Sequence, residues 1–315
     1  MLRLADGKNV QFTFILLLLC AGSSVKPAAE GSGDLATVSH STLCIGADTN
    51  CQEQSRRLPI PDKLVVLTFD DSVKSHYTHA RPILKEFGFG ATFFITEGFS
   101  FKTNKTDYMT WEEIQALHRD GFEIGNHTAN HQAVTEKTLD QLEGELKTIT
   151  DRCVALQIPK PTSFSWPGNS LLKESLPVLR KNGIRFARRG GAPEYPYEKG
   201  QGVAYEPGVD DPLLIPSAGD ARPDWQLANF VAAVSLAREG KIAVIQFHGV
   251  PEGEHPWVHT PLERFEEYMR YLHEHDFKVI SLGGLSQYVD PQKIPVDPFA
   301  VIERRKAQRQ QSPNP

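Results

Sequence analysis

Cysteine is scarce, with four in 315 residues, too few for a disulfide scaffold. There is no basic excess. Lys+Arg number 34 against 39 Asp+Glu, a formal net charge of −5, which removes the electrostatic footprint of a general nucleic-acid binder. The two signs are interspersed, so there is no acidic tail either. No apolar run reaches the roughly 20 residues of a membrane-spanning helix, and no internal repeat is visible. What is present is globular: 40% hydrophobic and 23% charged residues. The length suits one large or two small domains.

The first residues are of a different kind. Arg3 and Lys8 precede an apolar run, Phe12 to Gly22, and small residues 21–24 follow it. Basic, apolar, then small is the order of a secretory signal peptide, so residues 1–22 are read as a signal and the protein as secreted or periplasmic. Leu17-Leu18-Leu19-Cys20 hints at lipid anchorage, but Leu19 is bulky where a small residue is expected. Residues 23–61 read as a linker. In an oxidising compartment Cys44 and Cys51 could close a small loop. Cys153 sits in a helical pattern and reads as a buried free thiol.

From residue 62 to about 290 short apolar runs alternate with helical patterns. Strands are expected at 63–69, 91–96, 122–125, 162–166, 184–187, 242–247 and 277–280. Helices are expected at 81–87, 110–121, 139–156, 171–181, 225–238 and 262–275. Thr110-Trp111-Glu112-Glu113 has the form of a capping box. This alternation specifies an α/β fold with a mainly parallel sheet, open or closed. Residues 188–223 read as a long loop region and 291–315 as a polar tail, with Arg304-Arg305-Lys306 solvated.

In such folds ligands gather at the carboxyl ends of the strands. Asp70-Asp71 follows the first strand, His127-Thr128-Ala129-Asn130-His131 the third, and His248-Gly249 the strand at 242–247. Ser165-Trp166-Pro167-Gly168-Asn169 ends the fourth. Two histidines four apart share one helical face and can grip one cation. A carboxylate completes the set and leaves a position for water. A second carboxylate can take a proton from that water, and a further histidine can protonate a leaving group. Pro167-Gly168 suits a turn that offers backbone N–H to an oxyanion.

Thr68-Phe69-Asp70-Asp71, then His127-Thr128-x-x-His131, then a late strand ending in His248, resembles the polysaccharide deacetylase superfamily (the NodB-homology domain, carbohydrate esterase family four). Ala91–Ile95 and Trp111–His127 also resemble its second strand and its third strand-helix unit. The resemblance covers about residues 62–290. It implies a distorted (β/α) barrel of fewer than eight units and a metal-dependent hydrolase that removes N-acetyl or O-acetyl groups from a glycan. By that resemblance Asp70 is the general base and His248 the general acid. Asp71, His127 and His131 bind a divalent metal, Zn²⁺ first, with Co²⁺ or Ni²⁺ also fitting.

The chain departs from the family pattern at four places. Ser72 stands for Gly, Gln132 for Pro and Gln246 for Leu. The third motif, Ser165–Asn169, has no Arg to hold the catalytic carboxylate. Without it Asp70 should titrate high, unless Arg222 reaches in. Asp220 or Asp224 is the candidate to tune the acid. Two alternatives follow: hydrolysis of a small non-sugar amide or cyclic ureide, allantoinase-like, or a non-catalytic carbohydrate-binding member using Trp166, Trp225, Trp257, Tyr195 and Tyr197. The expected partner is an acetylated glycan or a small amide, with no nucleic acid and no stable membrane span.

Overall fold

The computed structural model describes residues 57–311. The expected signal peptide, nearly all of the linker, and Cys44 and Cys51 lie outside the described residues.

The strands are β1 (Leu64–Phe69), β2 (Thr92–Ile95), β3 (Glu123–Asn126), β4 (Ser163–Ser165), β5 (Phe186–Arg189), β6 (Ile215–Pro216), β7 (Gly219–Asp220), β8 (Ala243–Phe247) and β9 (Lys278–Ile280). The helices are α1 (Arg81–Phe87), α2 (Trp111–Arg119), α3 (Leu142–Ala155), α4 (Leu176–Lys181), α5 (Leu227–Val234), α6 (Leu262–Glu274) and α7 (Ala300–Gln311). All strand pairs are parallel, in the order β6-β5-β4-β3-β2-β1-β8-β7, and β9 pairs with β1.

The two ends of that path are halves of one segment. Ser217 N donates to Arg189 O of β5 at 2.9 Å, and Ala218 N donates to Val244 O of β8 at 2.7 Å. Residues 215–220 therefore close the sheet into a (β/α) barrel of fewer than eight units, as the family resemblance implied. β9 fills the foot of the barrel beside β1, pairing Leu64–Val66, while β2 pairs with Thr68–Phe69 above it.

Strand parity builds two layers, because successive side chains point to opposite faces. Leu64, Val66, Phe94, Phe186 and Val244 form one cluster, which is the barrel interior. Leu67, Phe69, Phe93, Ile245 and Phe247 pack outward against Leu84 of α1 and Phe265 and Met269 of α6. Both faces of β1 are buried, which is why it reads as a continuous apolar run instead of an alternating one.

Local signals place several helices. Thr110 Oγ1 accepts from Glu113 N, and the Glu113 carboxylate accepts from Thr110 N at 2.7 Å, a complete capping box for α2. Gly88 ends α1 in the left-handed conformation, φ +68°. Cys153 is buried in the core on α3, where burial pushes its thiol up to about 12.

The segment read as a polar tail contains α7, which is docked. Val301 and Ile302 are buried, and Arg305 donates to Asp210 Oδ1 at 2.5 Å. Two apolar side chains on one turn and a buried carboxylate partner for Arg305 are enough to hold an otherwise polar helix, so Arg305 is not simply solvated.

Candidate active site

The interior parity of β1 runs Leu64, Val66, Thr68, and the next inward position is Asp70. Asp71 and Ser72 then take left-handed backbone, φ +74° and +59°. That conformation explains why Gly is usual at position 72. Ser72 compensates: its hydroxyl donates to Thr96 O at 2.8 Å and accepts from Thr96 N at 2.9 Å.

His127 follows β3. Its Nδ1 donates to Ser165 O at 2.8 Å, which fixes the tautomer and leaves Nε2 for a ligand. The stretch 127–131 is a turn, not the helical face expected for His127 and His131. Thr128 and His131 both have positive φ, +59° and +52°. The turn still brings the two rings to 4.7 Å between centroids. Gln132 supplies a donor that Pro could not, its N–H bonding Thr128 Oγ1 at 2.9 Å.

Asp71 Oδ1 lies 3.3 Å from His127 Nε2 and 3.4 Å from His131 Nε2. One ligand atom from each of the three residues falls within 4.8 Å of the others. Asp71 Oδ1 is buried without a hydrogen-bond partner. A buried, unpaired carboxylate oxygen facing two imidazoles is costly unless a cation fills the place, and N/O donors suit a divalent metal. Burial pushes the Asp71 carboxyl up, yet the three neighbouring imidazoles outweigh it and hold it below the usual range.

The carboxylate of Asp70 is buried and does not lack a cation. Arg188, on β5, places its guanidinium on both Asp70 oxygens and donates to Ser165 Oγ at 2.5 Å. The sheet register pairs Arg188 with Ser165 directly. The cation that position 165 lacks is thus supplied one strand over. The expected high titration of Asp70 is corrected accordingly: burial raises it, but Arg188 first, then His127 and His248, bring it below its ordinary value. Arg222 does not reach Asp70. It donates to Asp220 Oδ2 at 2.8 Å and stacks on Tyr197, 4.2 Å from the ring centroid.

His248 follows β8 on the same inward parity as Val244. Its Nδ1 lies 3.4 Å from Asp220 Oδ1 on β7 and its Nε2 3.9 Å from Asp71 Oδ2. Burial lowers this imidazole, but Asp220 first and then Asp71 and Asp70 raise it to about 9. Of the two candidates to tune the acid, Asp220 is in place; Asp224 is outside the cavity lining. His76, unremarked in the sequence, donates from Nε2 to His248 O at 2.9 Å and so helps fix the backbone there. Gln246 sits between base and acid, with Nε2 3.3 Å from Asp70 Oδ2 and 3.5 Å from His248 Nε2.

These groups surround one cavity of about 220 Å³ at the carboxyl ends of the strands. Gly168 lines it, as expected for the turn after β4. Trp166 and Trp225 are core residues, and Tyr195 lies under Arg309, 3.8 Å from its ring centroid. Tyr197 and Trp257 stand exposed at the mouth. Among the described residues no helix is long and apolar enough to cross a membrane.

Arg188 was missed because the expected strand stopped at Ala187. Continuing it two residues puts Phe186 and Arg188 on the same inward parity, which is the signal that would have found it.

Residues 58–187 match the family model described as polysaccharide deacetylase. The chain is 31% identical over 114 residues to the peptidoglycan-N-acetylmuramic acid deacetylase PdaA of Bacillus subtilis, covering 36% of this chain and 41% of that one. It is 29% identical over 90 residues to a peptidoglycan-N-acetylglucosamine deacetylase of Bacillus cereus, covering 28% and 39%. These matches span less than half the length of the curated relatives. A crystal structure from Mycobacterium smegmatis, described as a candidate polysaccharide deacetylase, superposes with a TM-score of 0.53 at 16% identity, over 75% of this chain and 95% of that one. The match from β1 into β5 and the shared fold support the polysaccharide deacetylase superfamily for this chain.

Proposed function

We propose that the protein is a secreted, metal-dependent deacetylase that hydrolyses N-acetyl or O-acetyl groups on a glycan. The observation that carries this reading is the convergence of Asp71, His127 and His131 on one point, with Asp70 and His248 beside it in the same cavity. A divalent cation held by those three residues, Zn²⁺ by donor type, would lower the pKa of water and polarise the acyl carbonyl. Asp70, kept charged by Arg188, takes the proton of the attacking water. His248, held protonated by Asp220, gives a proton to the departing nitrogen or oxygen. The carbon–oxygen bond to water forms first, the acyl carbon–heteroatom bond then breaks as His248 protonates the departing atom, and acetate and a free amine or hydroxyl leave.

Both curated relatives reported above are peptidoglycan deacetylases by name, which supports an acetylated cell-wall glycan as the substrate class. The run Phe12–Gly22 supports export. Arg188 on Asp70 weakens the small-amide alternative, since the missing third-motif Arg that raised it is made good from β5.

The test is acetate release from a panel of acetylated glycans, with and without a chelator. Release that stops on chelation and returns with Zn²⁺ is expected. Chelator-insensitive release, or none from any acetylated glycan, would defeat the reading.

A further inference from the structure

The two imidazoles of the candidate metal triad are held in different ways. The His127 ring is fixed through its second nitrogen, which donates to Ser165 O, and its side chain is 2% exposed. Such a bond is the usual means of orienting a metal-binding histidine. Among the described residues the His131 ring has no bond of this kind. It faces Asp71 Oδ1 at 3.4 Å and lies against Phe99, 4.5 Å between centroids, and its side chain is 23% exposed. The aim of His131 therefore depends on the backbone of the turn that carries it.

That turn is not a conformation the chain favours by itself. Thr128 and His131 are both left-handed, which is uncommon for residues with a Cβ. Pro at 132 would fix φ there, and Gln132 does not. The turn is instead gripped from two sides. At the end of β2, Glu97 N donates to Ala129 O at 2.8 Å. Gly98 passes so close that a Cβ there would lie 2.8 Å from Asn130 C and 2.9 Å from His131 Cβ. On the other side is α3, whose buried stripe of Leu142, Leu146, Ile149 and Cys153 makes it a firm platform. Asn126 Nδ2 donates to Leu146 O, and Gln132 Nε2 to Gln141 Oε1 at the start of α3, both at 2.9 Å. Glu145 takes the middle of the turn. Its carboxylate accepts from Asn130 N at 2.8 Å and from Asn130 Nδ2 at 2.7 Å.

We propose that Glu145 is a positioning residue for the metal centre: by holding Asn130 it aims His131 Nε2 at the ion without touching either. This deepens the deacetylase reading and rests on its metal site. Asn130 directly precedes His131, so a change in the direction of its N–H swings the His131 side chain. A zinc–nitrogen bond of about 2.0–2.1 Å tolerates little of that swing. A carboxylate suits the task because its two oxygens can take two donors at once, here one from the backbone and one from the side chain of the same residue. His127 needs no such help, since its ring is already bonded to Ser165 O. The competing account is that Glu145 only adds negative charge near a cation. That account makes every uncharged replacement of Glu145 equally harmful, and it makes a neighbouring carboxylate on α3 matter as much. Positioning requires neither.

The experiment uses the full chain with Zn²⁺ alone as the probe. Affinity is read by competition with a chromophoric chelator, and geometry by the visible spectrum of the Co²⁺-loaded protein. Glu145→Ala should weaken Zn²⁺ binding about tenfold or more, the range for losing an outer partner of a metal ligand, and should change the Co²⁺ bands. Glu145→Gln, uncharged but able to pair with the Asn130 N–H and amide, should stay within about threefold of wild type. Asn130→Ala removes one of the two bonds and should fall between them. Glu143→Ala takes a carboxylate from the same end of α3, one that meets Lys181 at 3.2 Å, and should match wild type. Melting temperature should be nearly unchanged in all four. If Glu145→Ala binds Zn²⁺ as wild type does, or if Glu145→Gln loses as much as Glu145→Ala, the positioning role is overturned while the deacetylase reading stands. If Zn²⁺ binding follows Glu145 as expected but no acetylated glycan releases acetate, the role stands and the deacetylase reading falls. A wild-type protein that binds no Zn²⁺ overturns the metal site and both readings with it.

Discussion

On the side of the barrel mouth formed by β1, β3 and β8, the polar groups come from short contiguous stretches: Asp70-Asp71, His127 to His131, and His248. On the side formed by β4, β5 and β7 they are single residues, Ser165, Arg188 and Asp220, each from a different strand. The first side fixes atoms in space. Ligand atoms must meet within a few ångströms and at set angles, so the residues cannot wander without losing the site. The second side supplies charge. Coulomb attraction is not directional and changes slowly with distance, so a guanidinium can come from either of two paired strands, about 4.8 Å apart, and still neutralise the same carboxylate. Arg188 standing opposite Ser165 is that freedom in use.

The largest effects belong to the first side. Asp70→Asn should lower kcat by about 10²–10⁴, the range for losing a general base, with bound metal unchanged by elemental analysis. His127→Ala should lose the metal itself while circular dichroism stays native. A His127→Ala protein with full metal occupancy would show that the triad is not the site.

The second side is tested by moving its charge. Arg188→Lys keeps a cation at shorter reach and is the variant expected to fold. Arg188→Met leaves Asp70 buried and unpaired, which destabilises the fold by about 3–5 kcal/mol. In Arg188→Met the Asp70 pKa rises because no guanidinium opposes its burial, and in Arg188→Lys it rises less, because the cation is kept but stands farther off. Asp70 must be charged to act as base, so the acid limb of the pH–rate profile moves up, by about 1–3 pH units for the full loss. The exchange Ser165→Arg with Arg188→Ser should bring the limb back toward wild type. If the exchange behaves like Arg188→Met, the cation is position-specific and the contrast between the two sides fails.

Asp220→Asn should act on the opposite limb. The Asp220 carboxylate helps hold His248 up at about 9. Its removal lowers that value, and His248 must be protonated to act as acid, so the basic limb moves down. The loss should be about tenfold or more at pH 8 and smaller at pH 6, following the fraction protonated. An unmoved basic limb would mean that another group donates the proton.

The same contrast explains what could be read before the structure. Most elements were legible because short buried runs such as Leu64–Phe69, and signals such as Thr110–Glu113 and Gly88, act locally. The contiguous site residues were legible because their spacing is their chemistry. Arg188 was not, since a one-strand shift of a charge leaves no motif and the strand end was placed two residues short. The spacing at 127–131 does not distinguish a turn from a helix, because an i, i+4 pair of histidines suits both. The docking of α7 rests on partners about 95 residues away in sequence, Arg305 with Asp210, which no local pattern reports.

The smallest effect is expected at Gln246, which sits where the two sides meet. Its amide nitrogen is 3.3 Å from Asp70 Oδ2, and its carbonyl accepts a weak bond from Ser217 Oγ at 3.2 Å. Gln246→Leu removes a neutral donor from a carboxylate that Arg188 already satisfies. Ser217 is not stranded, because its hydroxyl also donates to Arg189 O at 2.8 Å. The side chains are of similar volume, and an apolar replacement in a buried place is close to neutral for stability when no partner is orphaned. A net hydrogen bond of about 0.5–1.5 kcal/mol corresponds to roughly a 2–12-fold change, so kcat should fall by no more than that, with metal content and melting temperature nearly unchanged. The acid limb should rise slightly, in the same sense as for Arg188 but less. A loss beyond a hundredfold would place Gln246 among the groups that touch the reacting atoms, with Asp70 and His248 on the atom-fixing side of the mouth.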